Sequence, residues 1–260
     1  MLKLEKLEFR RLFTAKSFLI CLAISLVLIL ISSLTTKFLL NALSSLDPED
    51  AEMIGTAALQ MPSSLSLLKE IGSSSLTLIL AIFVTIFVTE DYTSDTIKNV
   101  YAKGYSRDTV YFAKYLSSLT GTLLFLLADA IFAIVVGKLL FGEFGTAGEN
   151  YATSFLACIF VLIAYHTVYF TIAISLRKTG SSIALCILGP ILVGLLLSLA
   201  NTLIKSDTLD LAEYWLPGRL SILSAANVAS KEVGIGFAIA IITIVAFGTA
   251  GFFLNRKRES

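Results

Sequence analysis

The chain has 260 residues, 56% of them hydrophobic and 15% charged, with a mean hydropathy of +0.85. A soluble domain of this size carries about 25% charged residues, so lipid is the solvent for most of this chain, and no loop is long enough to fold as a separate catalytic domain. The net charge of +1 excludes bulk electrostatic attraction to nucleic acid.

Residues 1–16 are basic, with Lys3, Lys6, Arg10, Arg11 and Lys16. Phe9, Leu12 and Phe13 share one helical face with Lys16 beside them, while Leu4 and Leu7 point elsewhere. Two readings fit: a helix on the inner membrane surface, or a basic flank that only sets topology. A spanning helix needs about 20 mostly apolar residues. Six runs qualify: 17–36, 73–89, 115–140, 151–176, 181–204 and 233–254. The first lacks a small-x-small cleavage site and is expected to stay as a signal anchor. The second is the shortest and least apolar. The whole is expected to be one all-α transmembrane domain over 1–260. Cys21, Cys158 and Cys186 lie inside these runs without metal-ligand spacing and read as buried hydrophobes.

Lysines and arginines orient the spans. The N-terminal segment, the 90–114 loop, the turn at Arg177 and Lys178 and the C-terminal tail hold fourteen of the twenty. The opposite side holds Lys37, Lys69, Lys138, Lys205, Arg219 and Lys231. The first side is therefore expected to be cytoplasmic, with both termini there. On the outer side, Asp47-Pro48-Glu49-Asp50 predicts a helix start, with a short helix through about Ala58. The connection 205–232 is too apolar for water. It reads as re-entrant or interfacial helices broken at Pro217-Gly218, with Trp215 as an interfacial anchor.

The longest internal cytoplasmic connection reads EDYTSDTIKNVYAKGYSRDTVYFAK over 90–114. Ile97, Val100 and Tyr101 have helical spacing, with Asp91, Thr93 and Asp95 in the first turn. Gly104 ends this helix and Ser106 caps the next, which runs through Lys114 into span three. Such a loop serves either as a handle for a partner or as a plain amphipathic connector.

Several chemistries lack their residues. The string from Gly137 to Gly142 is followed by Glu143 and lacks the lysine and hydroxyl of a phosphate-binding loop. No H-E-x-x-H, no G-x-S-x-G and no Cys/His cluster occurs, and His166 is the sole histidine, so no catalytic or metal site is expected on this chain. Asp129 and His166 lie deep in spans three and four, about 22 Å and about 16 Å from the basic edge at 1.5 Å per residue. They read either as a substrate-path or proton-relay pair or as an interhelical hydrogen bond that fixes packing. Pro190 is expected to kink span five, as a hinge or a static bend. Gly121, Gly248 and Gly251 read as sites of close helix contact.

Glu90 at the end of span two, then Thr96-Ile97-Lys98, then Gly104-Tyr105-Ser106-Arg107 and Lys114 resemble the permease subunits of ABC-2-type transporters. The resemblance covers the chain and is closest to small bacterial permeases for peptide antibiotic export or immunity. Family members usually carry glycine where Asp95 stands. The resemblance implies that Glu90, Asp91, Thr96, Ile97, Val100, Tyr101 and Arg107 belong to a coupling helix docked on a cytoplasmic ATPase. It also implies a second permease subunit, identical or not, and ATP with magnesium on the ATPase rather than on this chain. The expected function is ATP-driven export across the cell membrane of a hydrophobic or amphipathic compound, a peptide first. Asp129, His166 and Pro190 are substrate-path candidates. The rival is an ATP-independent transporter or channel that uses Asp129 and His166.

Overall fold

The computed structural model describes residues 2–43, 64–69, 74–142, 147–204, 210–225 and 227–257. They form α1 (Leu2–Thr14), α2 (Lys16–Leu43), α3 (Ser64–Lys69), α4 (Ser74–Thr93), α5 (Thr96–Ala102), α6 (Arg107–Phe141), α7 (Tyr151–Leu176), α8 (Thr179–Ile204), a 3-10 turn (Leu211–Tyr214), α9 (Leu216–Leu223) and α10 (Ser230–Lys257). Among the described residues there is no strand. Six helices, α2, α4, α6, α7, α8 and α10, are long and apolar enough to cross a membrane. The expected outer helix after Asp47 lies outside the described residues.

All six expected spans are present, and several run further than the apolar runs. α6 begins at Arg107 rather than at residue 115. Its 35 residues extend about 52 Å, well beyond a hydrocarbon core of about 30 Å. The first two turns of α6 therefore run past the apolar span at the basic end, where Val110 and Ala113 are buried against Leu4 of the N-terminal helix and Ile97 of the loop helix. Ser106 starts them: its Oγ accepts from the Thr109 backbone N–H at 3.2 Å. Gly142, at φ 76°, closes the far end.

α4 and α7 form the centre. α4 packs on α2, α6, α7 and α8, and α7 lies along α10. This placement explains why span two is the least apolar of the six: 61% of its apolar window is buried against protein, against 6% for α8, whose leucines must satisfy lipid alone. Phe83 of α4 sits between Phe18 of α2 and Phe125 of α6, with centroids at 5.5 and 6.3 Å. Two glycines permit the tightest crossings. A Cβ on Gly121 would come within 2.7 Å of Leu12 and 2.8 Å of Phe83, and one on Gly251 within 2.9 Å of Thr171. Tyr111 donates to the Gly248 carbonyl at 2.9 Å. The three cysteines are buried and free, in separate places.

α1 is a separate helix, broken from α2 at Ala15. Its buried face is Leu4, Glu8 and Leu12, while Leu7 and Phe13 are exposed. The expected face of Phe9, Leu12 and Phe13 is thus split. Leu12 turns inward to Gly121, and Leu4 joins Ile97, Val110 and Ala113 in a small apolar cluster. The physical reason is that α1 packs on α6, so its inward stripe is set by a protein neighbour and not by lipid.

Candidate functional site

At the basic end, α4 ends in Glu90-Asp91-Tyr92-Thr93 and the chain turns sharply. Ser94 donates through N and Oγ to the Glu90 carbonyl at 3.0 and 2.7 Å. Asp95 then takes φ 57°, the left-handed region, and α5 begins. This backbone conformation is the one that glycine adopts freely and that aspartate tolerates better than most residues. The Lys98–Asp95 ion pair at 3.0 Å is exposed on both sides and adds little. Gly104, at φ 84°, ends the loop as its residue type requires.

Asp91 is the hub of this end. Its carboxylate accepts from Lys114 of α6, Arg11 of α1 and Thr96 of α5. Lys114 is 1% exposed and also faces Glu8 at 3.7 Å. Arg11 donates to Glu90 at 3.0 Å and to the Phe87 carbonyl at 3.0 Å, near the end of α4, and its guanidinium lies 5.0 Å from the Phe87 ring. Burial alone would lower the Arg11 pKa; Asp91, Glu8 and Glu90 outweigh it and hold that pKa above its ordinary value. Four helices thus meet at one carboxylate. Arg177, at the turn between α7 and α8, closes the circuit: its guanidinium lies 5.0 Å from the Tyr92 ring and 3.4 Å from the Asn255 side-chain oxygen.

The expected loop residues take two roles. Ile97 is buried against Leu4, Val110 and Ala113, and Val100 and Tyr101 pack beside it. They hold α5 onto the bundle. Lys98, Asn99, Ala102 and Lys103 are exposed on the other face. Asp91 belongs to the end of α4 rather than to the first turn of the loop helix, because its side chain is drawn inward by two cations. Glu90 is half exposed and pairs with Arg11. Arg107 is half-buried at the start of α6. Arg11, Glu8 and Lys114 carry this site with Asp91; the sequence reading counted Arg11 only as a topology charge and used Lys114 for topology and for the resemblance, without pairing either with Asp91.

Asp129 and His166 do not meet. Ser25 of α2 donates to Asp129 Oδ1 at 2.8 Å, and Asp129 Oδ2 has no partner among the described residues. His166 Nε2 lies 3.0 Å from Ser118 Oγ, and its ring packs on Tyr115 and Phe170. Each residue therefore links a different helix pair: α6 to α2, and α7 to α6. The direct contact that a helix tilt would have allowed is absent because both side chains leave their helices toward other neighbours.

At the opposite end, the 3-10 turn starts beside Asn201, whose Oδ1 accepts from the Leu211 N–H at 2.9 Å. It ends at Trp215, whose indole N–H donates to the Pro190 carbonyl at 3.2 Å. Asn201 and Pro190 are about 16 Å apart along α8, a span that the turn covers with the reach of the Asn201 and Trp215 side chains. α9 then returns, with Leu223 against Gly236 of α10. The break falls at Trp215, not at Pro217-Gly218. Pro217 opens α9 in its first turn, where its missing N–H costs nothing. A Cβ on Gly218 would lie 2.3 Å from the Ala212 carbonyl oxygen, so only glycine lets α9 fold against the turn. Buried Arg219 bonds the Glu213 carbonyl and the Glu232 carboxylate, the latter at 2.6 Å, fixing the segment to α10.

This segment walls a cavity of about 860 Å³. Thr36 of α2, Thr77 and Leu78 of α4, Tyr165 and Tyr169 of α7, and α8 from Cys186 to Gly194 complete the wall. Pro190 and Lys69 both line this cavity. Asp129 and His166 are not among its lining residues.

Four apolar helices around two buried central ones, with a polar hub at one end and a walled cavity at the other, define a multi-pass membrane protein. The chain belongs to the ABC-2 transporter family: the family model described as ABC-2 family transporter protein matches residues 5–201. It is thus the membrane permease component of an ABC transporter. Comparison with curated proteins and with solved structures found no match.

Proposed function

We propose that this permease exports a hydrophobic or amphipathic compound, a peptide first, with ATP hydrolysed on a separate cytoplasmic subunit. The observation that carries the reading is the construction of α5. Its inner face is anchored through Ile97, and its first turn is tied through Thr96 to the hub at Asp91. A force applied to its exposed face at Lys98, Asn99, Ala102 and Lys103 would pass into α1, α4 and α6 together. The basic end is then cytoplasmic, both termini lie there, and the protein sits in the cell membrane. The segment 211–223 is re-entrant from the outer face. A second permease subunit, identical or not, completes the complex, and ATP and magnesium belong to the ATPase.

The test is co-purification of the full chain with its ATPase from the native membrane. Retention of an ATPase by the wild type, with release by Lys98→Glu plus Lys103→Glu, is expected. An intact chain that retains no ATPase, or a variant that transports as the wild type does, overturns the proposal. The rival, transport without ATP through Asp129 and His166, gains no support from side chains that engage separate serines.

A further inference from the structure

Lys69 occupies an unusual position. It is 4% exposed and lines the cavity, and no carboxylate pairs with it among the described residues. Its ammonium donates to the Ala225 carbonyl and lies 5.0 Å from the Tyr151 ring. A carbonyl and a ring face compensate a buried cation only in part, because an ammonium has three N–H donors and a full charge. Arg219, on the same side, shows the contrast: it is equally buried but bonded to Glu232 and close to Glu213. Burial lowers the Lys69 pKa, against a smaller opposing pull from Cys158.

The cavity beyond Lys69 is apolar in its body. Leu67, Leu78, Ile187, Pro190, Ile191 and Leu220 contribute to its wall. Its volume of about 860 Å³ lies within the range of about 300–1,000 Å³ that small-ligand sites occupy. α8, one of its walls, is almost uncovered by other protein, so the wall borders lipid.

We infer that the cavity takes an amphiphile with an apolar body and an anionic end, held with that end on Lys69. A carboxylate there supplies the counter-charge and accepts the remaining N–H bonds, while the body replaces lipid contact with the cavity wall. An acyl carboxylate, the free C-terminus of an apolar peptide and an anionic phospholipid share this chemistry. Naming the occupant as cargo rests on the exporter reading; the binding itself does not.

The experiment uses the purified full chain, without ATPase, in phosphatidylcholine nanodiscs. Four probes are compared: a long-chain fluorescent fatty acid, its methyl ester, an apolar peptide with a free C-terminus, and that peptide amidated. The acid or the free-terminus peptide is expected to bind about tenfold tighter than its neutral counterpart, the gain of one charge-assisted hydrogen bond. Lys69→Met abolishes the preference and Lys69→Arg retains it. Gly194→Trp, placed in the wall where a Cβ meets nothing within 4 Å, weakens all probes. Adding phosphatidylglycerol separates sources: displacement of the probe assigns the site to bilayer lipid, and persistence assigns it to cargo. Equal affinity for charged and neutral probes, an unchanged preference in Lys69→Met, or full binding in Gly194→Trp overturns the inference. Because ATPase co-purification is measured separately, failure here leaves the exporter reading standing, and the reverse also holds.

Discussion

Replacing Lys114 with methionine keeps the length of the side chain and removes its charge. In the wild type, the carboxylates of Glu8, Glu90 and Asp91 face the two cations Arg11 and Lys114. Lys114→Met leaves all three carboxylates on one guanidinium. Breaking a buried pair costs about 3–5 kcal/mol; Arg11 remains as a shared partner, so about 3 kcal/mol is expected. Asp91→Asn alone leaves two carboxylates facing two cations; its amide oxygen still accepts from Arg11, and its amide NH2 faces the Thr96 hydroxyl, which can accept. Its cost is lower, about 1–2 kcal/mol. Adding Asp91→Asn to Lys114→Met removes one surplus negative charge and recovers about 1 kcal/mol of the loss. The same substitution is therefore destabilising alone and stabilising in the Lys114→Met background. Reversible unfolding in mixed micelles measures the cycle, and hydrogen exchange of the α5 amides locates it. Additive effects of the two substitutions would refute the hub as an electrostatic unit.

Asp95→Gly is expected to raise stability by a few tenths of a kcal/mol, about the relief of a left-handed aspartate less the entropy of glycine, whereas Asp95→Val lowers it by about 1–2 kcal/mol in the same unfolding assay. Gly218→Ala forces the turn and α9 apart at a cost of about 1–3 kcal/mol, and the fluorescence of Trp215, the sole tryptophan, shifts as it loses Pro190. Asp129→Asn keeps an oxygen for the Ser25 hydroxyl and leaves ATP-driven transport intact with a stability change of about 1 kcal/mol or less; abolished transport would restore the relay reading. Binding of the acidic probe weakens as pH rises through the lowered Lys69 pKa, because the deprotonated amine no longer attracts the anion. Among the described residues, Tyr151 and Cys158 on α7 and the Ala225 carbonyl after α9 face the same ammonium, so Lys69→Met serves as the flat control.

The spans were legible because each is a long apolar run, and the break between α5 and α6 because Gly104 and Ser106 are local signals. The hub was not, because it joins Arg11 to Asp91 and Lys114 across distant parts of the chain, and in sequence each is one of many charges. The inward face of α1 was misread for a related reason: Leu4 and Leu12 lie toward α6, whose position no periodicity reveals. The signal at Pro217 was present and misapplied, since proline in a first turn starts a helix as readily as it ends one. Lys69 carried a fainter signal, a lone cation after Leu67 and Leu68 on the side poor in basic residues.

The centrality of α4 has a consequence for biogenesis. The least apolar spanning helix is the second to be synthesised, yet its packing surface includes α7, which follows many residues later. α4 must therefore wait in the translocon or at the lipid boundary with its threonines, among them Thr85 and Thr89, still unpartnered by α8. Insertion of this permease is thus cooperative between distant segments. A chain arrested before α7 would hold α4 only against α2 and α6, leaving the faces that α7 and α8 later cover open to lipid.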